Sequence, residues 1–191
     1  TAGDIASGEL EAGLVTLPIR DEGLEVVPLA RDEILYVTAN RGRVTKPRPF
    51  SDFIDSDLVL YDAHYAQTDP TRRQLHERAQ LAGKTLEPAV EVEYLGSAMT
   101  LVAEGVGDSI ICKAAAASAG IPSTLYTRSF VEPMYETLAL VKRRGMLLSP
   151  ATRQLAIMAW EALHEQQSSD RGTVELIVDR ERLIRFFDRA G

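Results

Sequence analysis

Short apolar runs and amphipathic segments alternate along the chain, and each change of period marks the boundary of an element. Apolar, β-branched runs predict strands at 12–17, 24–29, 33–38, 57–61, 89–93, 108–112 and 136–142. Helical spacing and helix-start residues predict helices at 70–82, 97–104, 113–119 and 150–164. This alternation favours an α/β fold with parallel sheets covered by helices.

Local signals define several helix ends. Asp69-Pro70 predicts a helix start, because the Asp side chain accepts from free backbone N–H groups and Pro fits the first turn. Ser149-Pro150 repeats this signal before a helix whose apolar face, Leu155, Met158, Ala159 and Leu163, is expected to pack on a core. Ser97 is expected to cap the helix that reaches Glu104.

The run from Leu101 to Ile111 combines a helix end with a strand entry. One of its glycines, Gly105 or Gly107, can take the left-handed conformation that ends a helix, and the other allows a tight turn into the strand. This construction is typical of an α/β ligand-binding domain, although the two glycines alone occur in many folds.

Two polar interruptions, at 40–49 and 122–133, divide the elements into two lobes. We expect lobe I from 1–38 and 131–168, lobe II from 39–130, and a C-terminal extension at 169–191. The extension contains a strand at 173–178 and a helix capped by Asp179, whose apolar face carries Leu183, Ile184, Phe186 and Phe187.

The composition is that of a soluble globular protein, with 45% hydrophobic and 26% charged residues and no apolar run long enough to cross a membrane. A net charge of -7 without a local Lys/Arg cluster argues against nucleic-acid binding by this segment. Cys112 is the single cysteine, which excludes an internal disulfide and fits a reducing compartment, so we expect a cytoplasmic protein.

The sequence carries no catalytic motif. It has no Gly-x-Ser-x-Gly, His-Glu-x-x-His or phosphate-loop pattern, and only three histidines. We therefore expect no catalytic residues, no metal site and no cofactor.

Ligands of open α/β sheets bind beyond the carboxyl ends of strands. The candidate residues chosen on this basis are Thr16, Leu17, Arg31, Tyr61, Asp62, His64, Thr68, Gly96 and Ser97. Backbone N–H groups at the 97–104 helix start could receive a carboxylate.

Asp62 would repel an anion, so it favours an amine-bearing or polar ligand, or else pairs locally with His64 or Arg72. Arg31 could hold a carboxylate bidentately, or pair at the surface with Asp32 or Glu33.

Six segments in order resemble the effector-binding domain of LysR-type transcriptional regulators. They are 8–15, 28–37, 58–61, 101–111, 138–144 and 148–151, so the resemblance extends from residue 8 to about 164. It implies a two-lobed periplasmic-binding-protein-like (type 2) fold, with a small-molecule effector between the lobes. It also implies a homodimer or homotetramer that binds DNA through a separate winged helix-turn-helix domain not present in this chain.

Three departures from the family pattern shape our expectations. The family domain begins with a strand, a helix and a second strand ahead of the Gly8 region, so lobe I is expected to be incomplete here. Cys112-Lys113 stands where Leu-Pro is usual, and the extension passes the usual end. The extension either fills the place of the absent strand and helix, in this molecule or a partner, or packs on the outside.

Two other functions are compatible with this fold. A solute-binding protein of a transport system would need an export leader and no dimer. An enzyme would need convergent acid and base groups, which the sequence does not show. We therefore expect a sensing domain and not an enzyme.

Overall fold

The computed structural model describes residues 1–118, 120–168 and 172–188. The chain divides into two compact units, one formed by Thr1–Asp32 with Glu136–Gly191 and the other by Glu33–Tyr135. The lobe boundaries inferred from the sequence, at 38/39 and 130/131, stay a prediction. Within the described residues, no helix combines the length and apolar character needed to cross a membrane.

The elements in chain order are α1 (Ala2–Ser7), β1 (Ala12–Leu17), β2 (Leu24–Thr38), α2 (Phe50–Ile54), β3 (Val59–Leu60), α3 (Pro70–Leu81), β4 (Val90–Glu91), α4 (Leu95–Ala103), β5 (Ser109–Cys112), α5 (Lys113–Ala116), β6 (Tyr126–Arg128), β7 (Met134–Arg143), α6 (Pro150–Ser168), β8 (Val174–Leu176) and α7 (Arg180–Asp188). Short 3-10 turns occupy Arg41–Val44 and Ala63–Tyr65. Ala119, at the end of the predicted 113–119 helix, lies outside the described residues.

The predicted strands 24–29 and 33–38 are wrong as separate elements, because β2 runs unbroken through 15 residues. The polar residues that suggested a break lie in the ladder with β8, where Arg31 is opposite Glu175 and Asp32 is opposite Val174. Cross-strand pairing therefore keeps Arg31 and Asp32 in extended conformation despite their polarity.

The first unit contains an antiparallel sheet. β1 pairs with β7 from Ala12 opposite Lys142 to Leu17 opposite Thr137, and β7 neighbours β2. Ile5, Leu24 and Val141 form a small buried cluster in this unit.

The C-terminal extension is a packed part of the first unit. β8 pairs with β2 in the sheet that also contains β1, and α7 buries Leu183, Phe186 and Phe187. The Asp179 carboxylate accepts from the Arg182 N–H at 2.7 Å, which confirms the predicted cap. That this tail replaces an absent strand and helix stays a hypothesis.

Helix α6 starts as predicted, since the Ser149 hydroxyl accepts from the Thr152 N–H at 3.2 Å. The apolar face expected on a core is wrong for Leu155 and Met158, which are 65% and 54% exposed, whereas Ala159 and Leu163 are half-buried and Ala156 is buried. The extension decides this orientation, because the Trp160 indole donates to the Val178 carbonyl at 2.9 Å and turns the Ala156 face inward.

The second unit mixes parallel and antiparallel pairing. β3 and β4 are parallel, and Leu58 forms a parallel bridge with Asp108 just before β5. The expectation of parallel sheets is wrong for the rest, because β5 and β6 both pair antiparallel with β2. Helical crossovers α3 and α4 return the chain in one direction, whereas β2 runs through this sheet in the other.

Aromatic packing fills the core of the second unit. Tyr36, Phe53 and Phe130 have ring centroids 5.4 to 6.4 Å apart with edge-on geometry. Edge-to-face pairs of this kind add to the free energy of burial, so this cluster holds β2 against α2.

Candidate functional site

The segments after β3 and β4 are hydrogen-bonded to each other. The Asp62 N–H donates to the Glu93 carbonyl at 3.3 Å, and the Ala63 N–H donates to the Val92 carbonyl at 3.2 Å. The His64 N–H donates to the Glu93 carboxylate at 3.0 Å. The carboxyl ends of the two strands thus form one connected surface of the second unit, as the sequence rule for α/β sheets anticipates.

Asp62 adopts a left-handed conformation, with φ 57° and ψ 42°. It is the sole non-glycine residue with positive φ in the part of the chain that the structure describes. The left-handed conformation costs an L-residue roughly 1 to 2 kcal/mol of conformational free energy, and Asp tolerates it better than most residue types. Such strain persists where surrounding contacts hold it, and it is common at binding sites.

The residues after Asp62 present side chains to solvent. His64, Tyr65 and Thr68 are exposed. The His64 and Tyr65 rings meet edge-on with centroids 4.9 Å apart, and the Thr68 hydroxyl donates to the Tyr65 carbonyl at 3.3 Å. The structure therefore brings Tyr61, Asp62, His64 and Thr68 into one turn, together with Glu93, which sequence reasoning missed.

The prediction that Ser97 caps a helix is wrong. Helix α4 begins at Leu95, its cap residue is Tyr94 without a side-chain cap bond, and Ser97 lies inside the first turn. The apolar spacing explains the earlier start, because Leu95 lies on the same face as the buried Ala98 and Met99. Gly96 and Ser97 are both exposed in this turn, which no side chain caps.

Arg72 is a buried residue that sequence reasoning considered only as a partner for Asp62. Its side chain is 5% exposed and forms an ion pair with Glu91, and it donates to the Tyr61 carbonyl at 3.1 Å. Helical spacing could have identified it, because Arg72 shares the buried face of α3 with Leu75 and Ala79.

The candidates of the first unit form a separate group. Thr16 and Leu17 are half-buried at the end of β1, opposite Leu138 and Thr137. Arg31 forms an ion pair with Glu175 of β8, with Nε and Nη2 at 2.8 and 2.7 Å from one carboxylate oxygen. Surface pairing of Arg31 was anticipated, but this partner from the extension was not.

The run with two glycines shapes the opposite ends of the strands. Gly105 has φ 81° after the end of α4, which confirms its helix-ending role. A Cβ on Gly107 would lie 2.4 Å from the Asp57 carbonyl oxygen, so the close approach of the two segments requires glycine. This run therefore builds the second unit rather than the turn after β3.

A charge cluster around the buried Asp108 carboxylate lies beside this run. The Asp108 carboxylate accepts from the Tyr36 hydroxyl at 2.8 Å and from Arg43 Nη1 at 2.6 Å. Burial raises the pKa of Tyr36, and the charge of Asp108 raises the pKa of Arg43. Arg43 and Asp108 line a polar cavity of about 700 Å³, whose walls also include Thr38, Asn40 and Asp57. Among the described residues, no group of His, Cys, Asp and Glu is arranged to hold a metal ion.

Comparisons with known proteins identify the fold. The family model described as the LysR substrate binding domain matches residues 2–164. No curated protein sequence matches the chain. The BenM effector binding domain with its effector benzoate superposes with a TM-score of 0.68 at 18% identity, over 88% of this chain and 76% of that one.

Two further structures are similar to about the same extent. The Corynebacterium glutamicum OxyR C206 mutant gives a TM-score of 0.70 at 20% identity, over 85% of this chain and 51% of that one. CbnR complexed with its target DNA gives 0.65 at 18% identity, over 87% and 55%. The chain spans about half the length of each of these two chains. The fold is the type 2 periplasmic-binding-protein-like fold of LysR effector-binding domains.

The family model covers most of the chain, and the structural similarities agree with it in fold. Domains of this family are regulatory ligand-binding domains and not enzymes. The chain therefore belongs to the LysR substrate-binding domain family.

Proposed function

We propose that this chain is the ligand-sensing domain of a cytoplasmic LysR-type transcriptional regulator, and that it binds a small polar or carboxylate effector. The observation that carries the proposal is the family match over residues 2–164, together with the fold. In the complete regulator, a separate winged helix-turn-helix domain would contact DNA. The net charge of -7 supports this division, because an acidic domain has no electrostatic attraction for a polyanion.

The proposed effector contacts are the candidate residues that follow strand ends in each unit taken by itself. Those of the second unit are Tyr61, Asp62, His64, Thr68, Gly96 and Ser97. Those of the first unit are Thr16, Leu17 and Arg31. The exposed start of α4 and the Arg31 guanidinium suit a carboxylate, whereas Asp62 and Glu93 suit an amine or hydroxyl group. Amino acids and hydroxy acids carry both kinds of group.

Sensing requires that the effector bind one conformation of the domain more tightly than another. At saturating effector, the free-energy difference between the two conformations changes by the difference between their binding free energies. An effector whose contacts with the turn after β3 form in only one of the two conformations would have this differential affinity.

A thermal-shift screen tests the proposal directly. The panel comprises benzoate, other small carboxylates, hydroxy acids and the common amino acids. A true ligand at about 100 times its Kd stabilises the native state by about 2.7 kcal/mol through mass action. A panel without any stabilising compound would contradict the proposal.

A charge placed at the start of α4 tests the site. Ser97→Asp brings a carboxylate to the exposed first turn and is expected to abolish stabilisation by a carboxylate compound. Ser51→Asp is the matched control, because Ser51 is also exposed in the first turn of a helix. Equal responses of the two variants would exclude Ser97 from the site.

We also propose that the chain forms a homodimer through α3, within a dimeric or tetrameric regulator. The side chain of Leu81, the last residue of α3, is 89% exposed, and Val131 is 59% exposed. Both line a cavity of about 410 Å³ together with Phe50 and Arg78. An apolar patch of this kind is typical of an association surface.

Light scattering tests the association. Leu81→Glu is expected to give monomers without loss of stability, because the replaced side chain is exposed. Leu155→Glu, at a residue 65% exposed on α6, is the control. A monomeric wild-type chain, or a dimer that survives Leu81→Glu, would contradict this assignment.

A further inference from the structure

One buried side chain joins three elements behind the turn that follows β3. Arg72 is the third residue of α3, and its backbone N–H donates to the carboxylate of the cap residue Asp69 at 2.7 Å. Its guanidinium donates to the Tyr61 carbonyl at the end of β3 and pairs with the carboxylate of Glu91 at the end of β4. A single cation therefore ties α3 to both strand ends.

The peptide unit between Tyr61 and Asp62 is held at both of its polar atoms. Arg72 Nη1 donates to the Tyr61 carbonyl oxygen of this peptide at 3.1 Å, and the Asp62 N–H of the same peptide donates to the Glu93 carbonyl at 3.3 Å. Because the peptide is planar, fixing both atoms fixes its rotation. The strained φ of Asp62, 57°, is the rotation about its N–Cα bond, which begins at the nitrogen of this peptide.

We propose that Arg72 is a positioning residue of the effector site, which holds the Tyr61–Asp62 peptide in the orientation that keeps Asp62 left-handed. That the effector binds at this turn rests on the proposed function. Arg72 acts through Tyr61 and Asp62 and needs no contact with the effector itself. Holding the turn before the ligand arrives lowers the entropy lost on binding.

A guanidinium suits this geometry better than an ammonium. Arg presents its N–H groups on separate nitrogens held in one plane, so that Nη1 meets the Tyr61 carbonyl while Nη2 meets the Glu91 carboxylate in a fixed relative orientation, whereas the donors of Lys share one nitrogen and rotate freely. The Nε of Arg72 has no hydrogen-bond partner among the described residues, which shows that the side chain is aimed by its two Nη contacts. Replacement by Lys is thus expected to keep the charge beside Glu91 and lose control of the peptide.

Amide exchange and NMR chemical shifts of the ligand-free chain test the proposal. In Arg72→Gln and Arg72→Lys, the amides of Asp62, Ala63 and His64 are expected to exchange at least about tenfold faster, as in a local opening. The Asp62 Cα and Cβ shifts, which report its backbone conformation, are expected to move towards extended values. Arg73→Gln is the matched control, since Arg73 is the exposed neighbour on the same helix turn.

The β5 amides separate positioning from general stability. If the exchange rates of the β5 amides rise in the Arg72 variants by the same factor as those of the turn, Arg72 contributes only to overall stability and the proposal is overturned. Asp62 shifts that stay at wild-type values in Arg72→Lys would overturn it as well. Should Arg72→Gln fail to fold, Arg72→Lys and Glu91→Gln carry the test, with the smaller effect expected for Glu91→Gln.

The two proposals fail in different experiments. No ligand is present in the exchange measurement, so an unchanged turn refutes the role of Arg72 and leaves the sensing function intact. A screen without ligands refutes the sensing function and leaves the effect of Arg72 on Asp62 intact.

Discussion

The Glu11 carboxylate accepts a hydrogen bond from the Ser149 hydroxyl at 2.9 Å, which connects the segment before β1 to the start of α6. The Thr152 hydroxyl and the Ser149 N–H donate to the same carboxylate. These donors, with Thr152 the strongest, lower the pKa of Glu11 from its ordinary value of 4.5. A carboxylate here also interacts favourably with the helix dipole.

Glu11→Gln is expected to destabilise the chain at neutral pH by no more than about 1 kcal/mol, because Glu11 is exposed and solvent screens its charge. A lowered pKa in the folded state means that the stabilisation is present above the unfolded value and is lost as pH falls through the folded value. The melting temperatures of the wild-type chain and of Glu11→Gln, measured from about pH 7 to about pH 3, should therefore converge at low pH. Glu9→Gln, at an exposed neighbour, should show no such convergence.

Gly107→Ala is expected to cost about 1 to 3 kcal/mol, since the new Cβ would overlap the Asp57 carbonyl oxygen at 2.4 Å. Gly96→Ala is the opposite case, because a Cβ at Gly96 meets no atom within 4 Å and the residue is helical. It should stabilise the chain by about 0.5 to 1 kcal/mol. Urea unfolding measures both, and a neutral Gly107→Ala would contradict the close approach.

Phe186→Ala is expected to lower the free energy of unfolding by about 3 to 5 kcal/mol, as for a core aromatic residue. The Phe186 side chain is 5% exposed, and its ring centroid lies 5.3 Å from the buried Lys142 ammonium. Arg182→Ala, at an exposed residue of the same helix, should change stability by less than about 0.5 kcal/mol. Similar small effects of both would show that the extension is only loosely attached.

Arg31→Ala and Glu175→Ala remove the same ion pair and are each expected to cost at most about 1 kcal/mol, because their side chains are 41% and 59% exposed. If Arg31 binds the effector carboxylate, only Arg31→Ala should reduce the thermal shift produced by a carboxylate from the panel. Equal thermal shifts in the two variants would remove Arg31 from the site.

The candidate site shows where sequence reasoning reaches its limit. The rule that ligands bind after strand ends selected Tyr61, Asp62 and His64, and the structure does bring them into one turn. The same rule does not select Glu93, whose role depends on the pairing of β3 with β4, or Arg72, which only the helical spacing of the buried face of α3 indicates. The prediction of Ser97 as a cap is wrong because packing of the partly buried Leu95 starts the helix two residues before the local capping signal.

The sequence by itself determined the family, most elements and the glycine turn, because capping residues, apolar periodicity and segment order are local properties of the chain. Only the tertiary structure decided that β2 is one strand, that α6 exposes Leu155 and that Arg31 meets Glu175. Each of these depends on contacts between segments far apart in sequence, and the extension contributes to all three. Burial and pairing free energies at such contacts exceed the local preferences that a sequence pattern records.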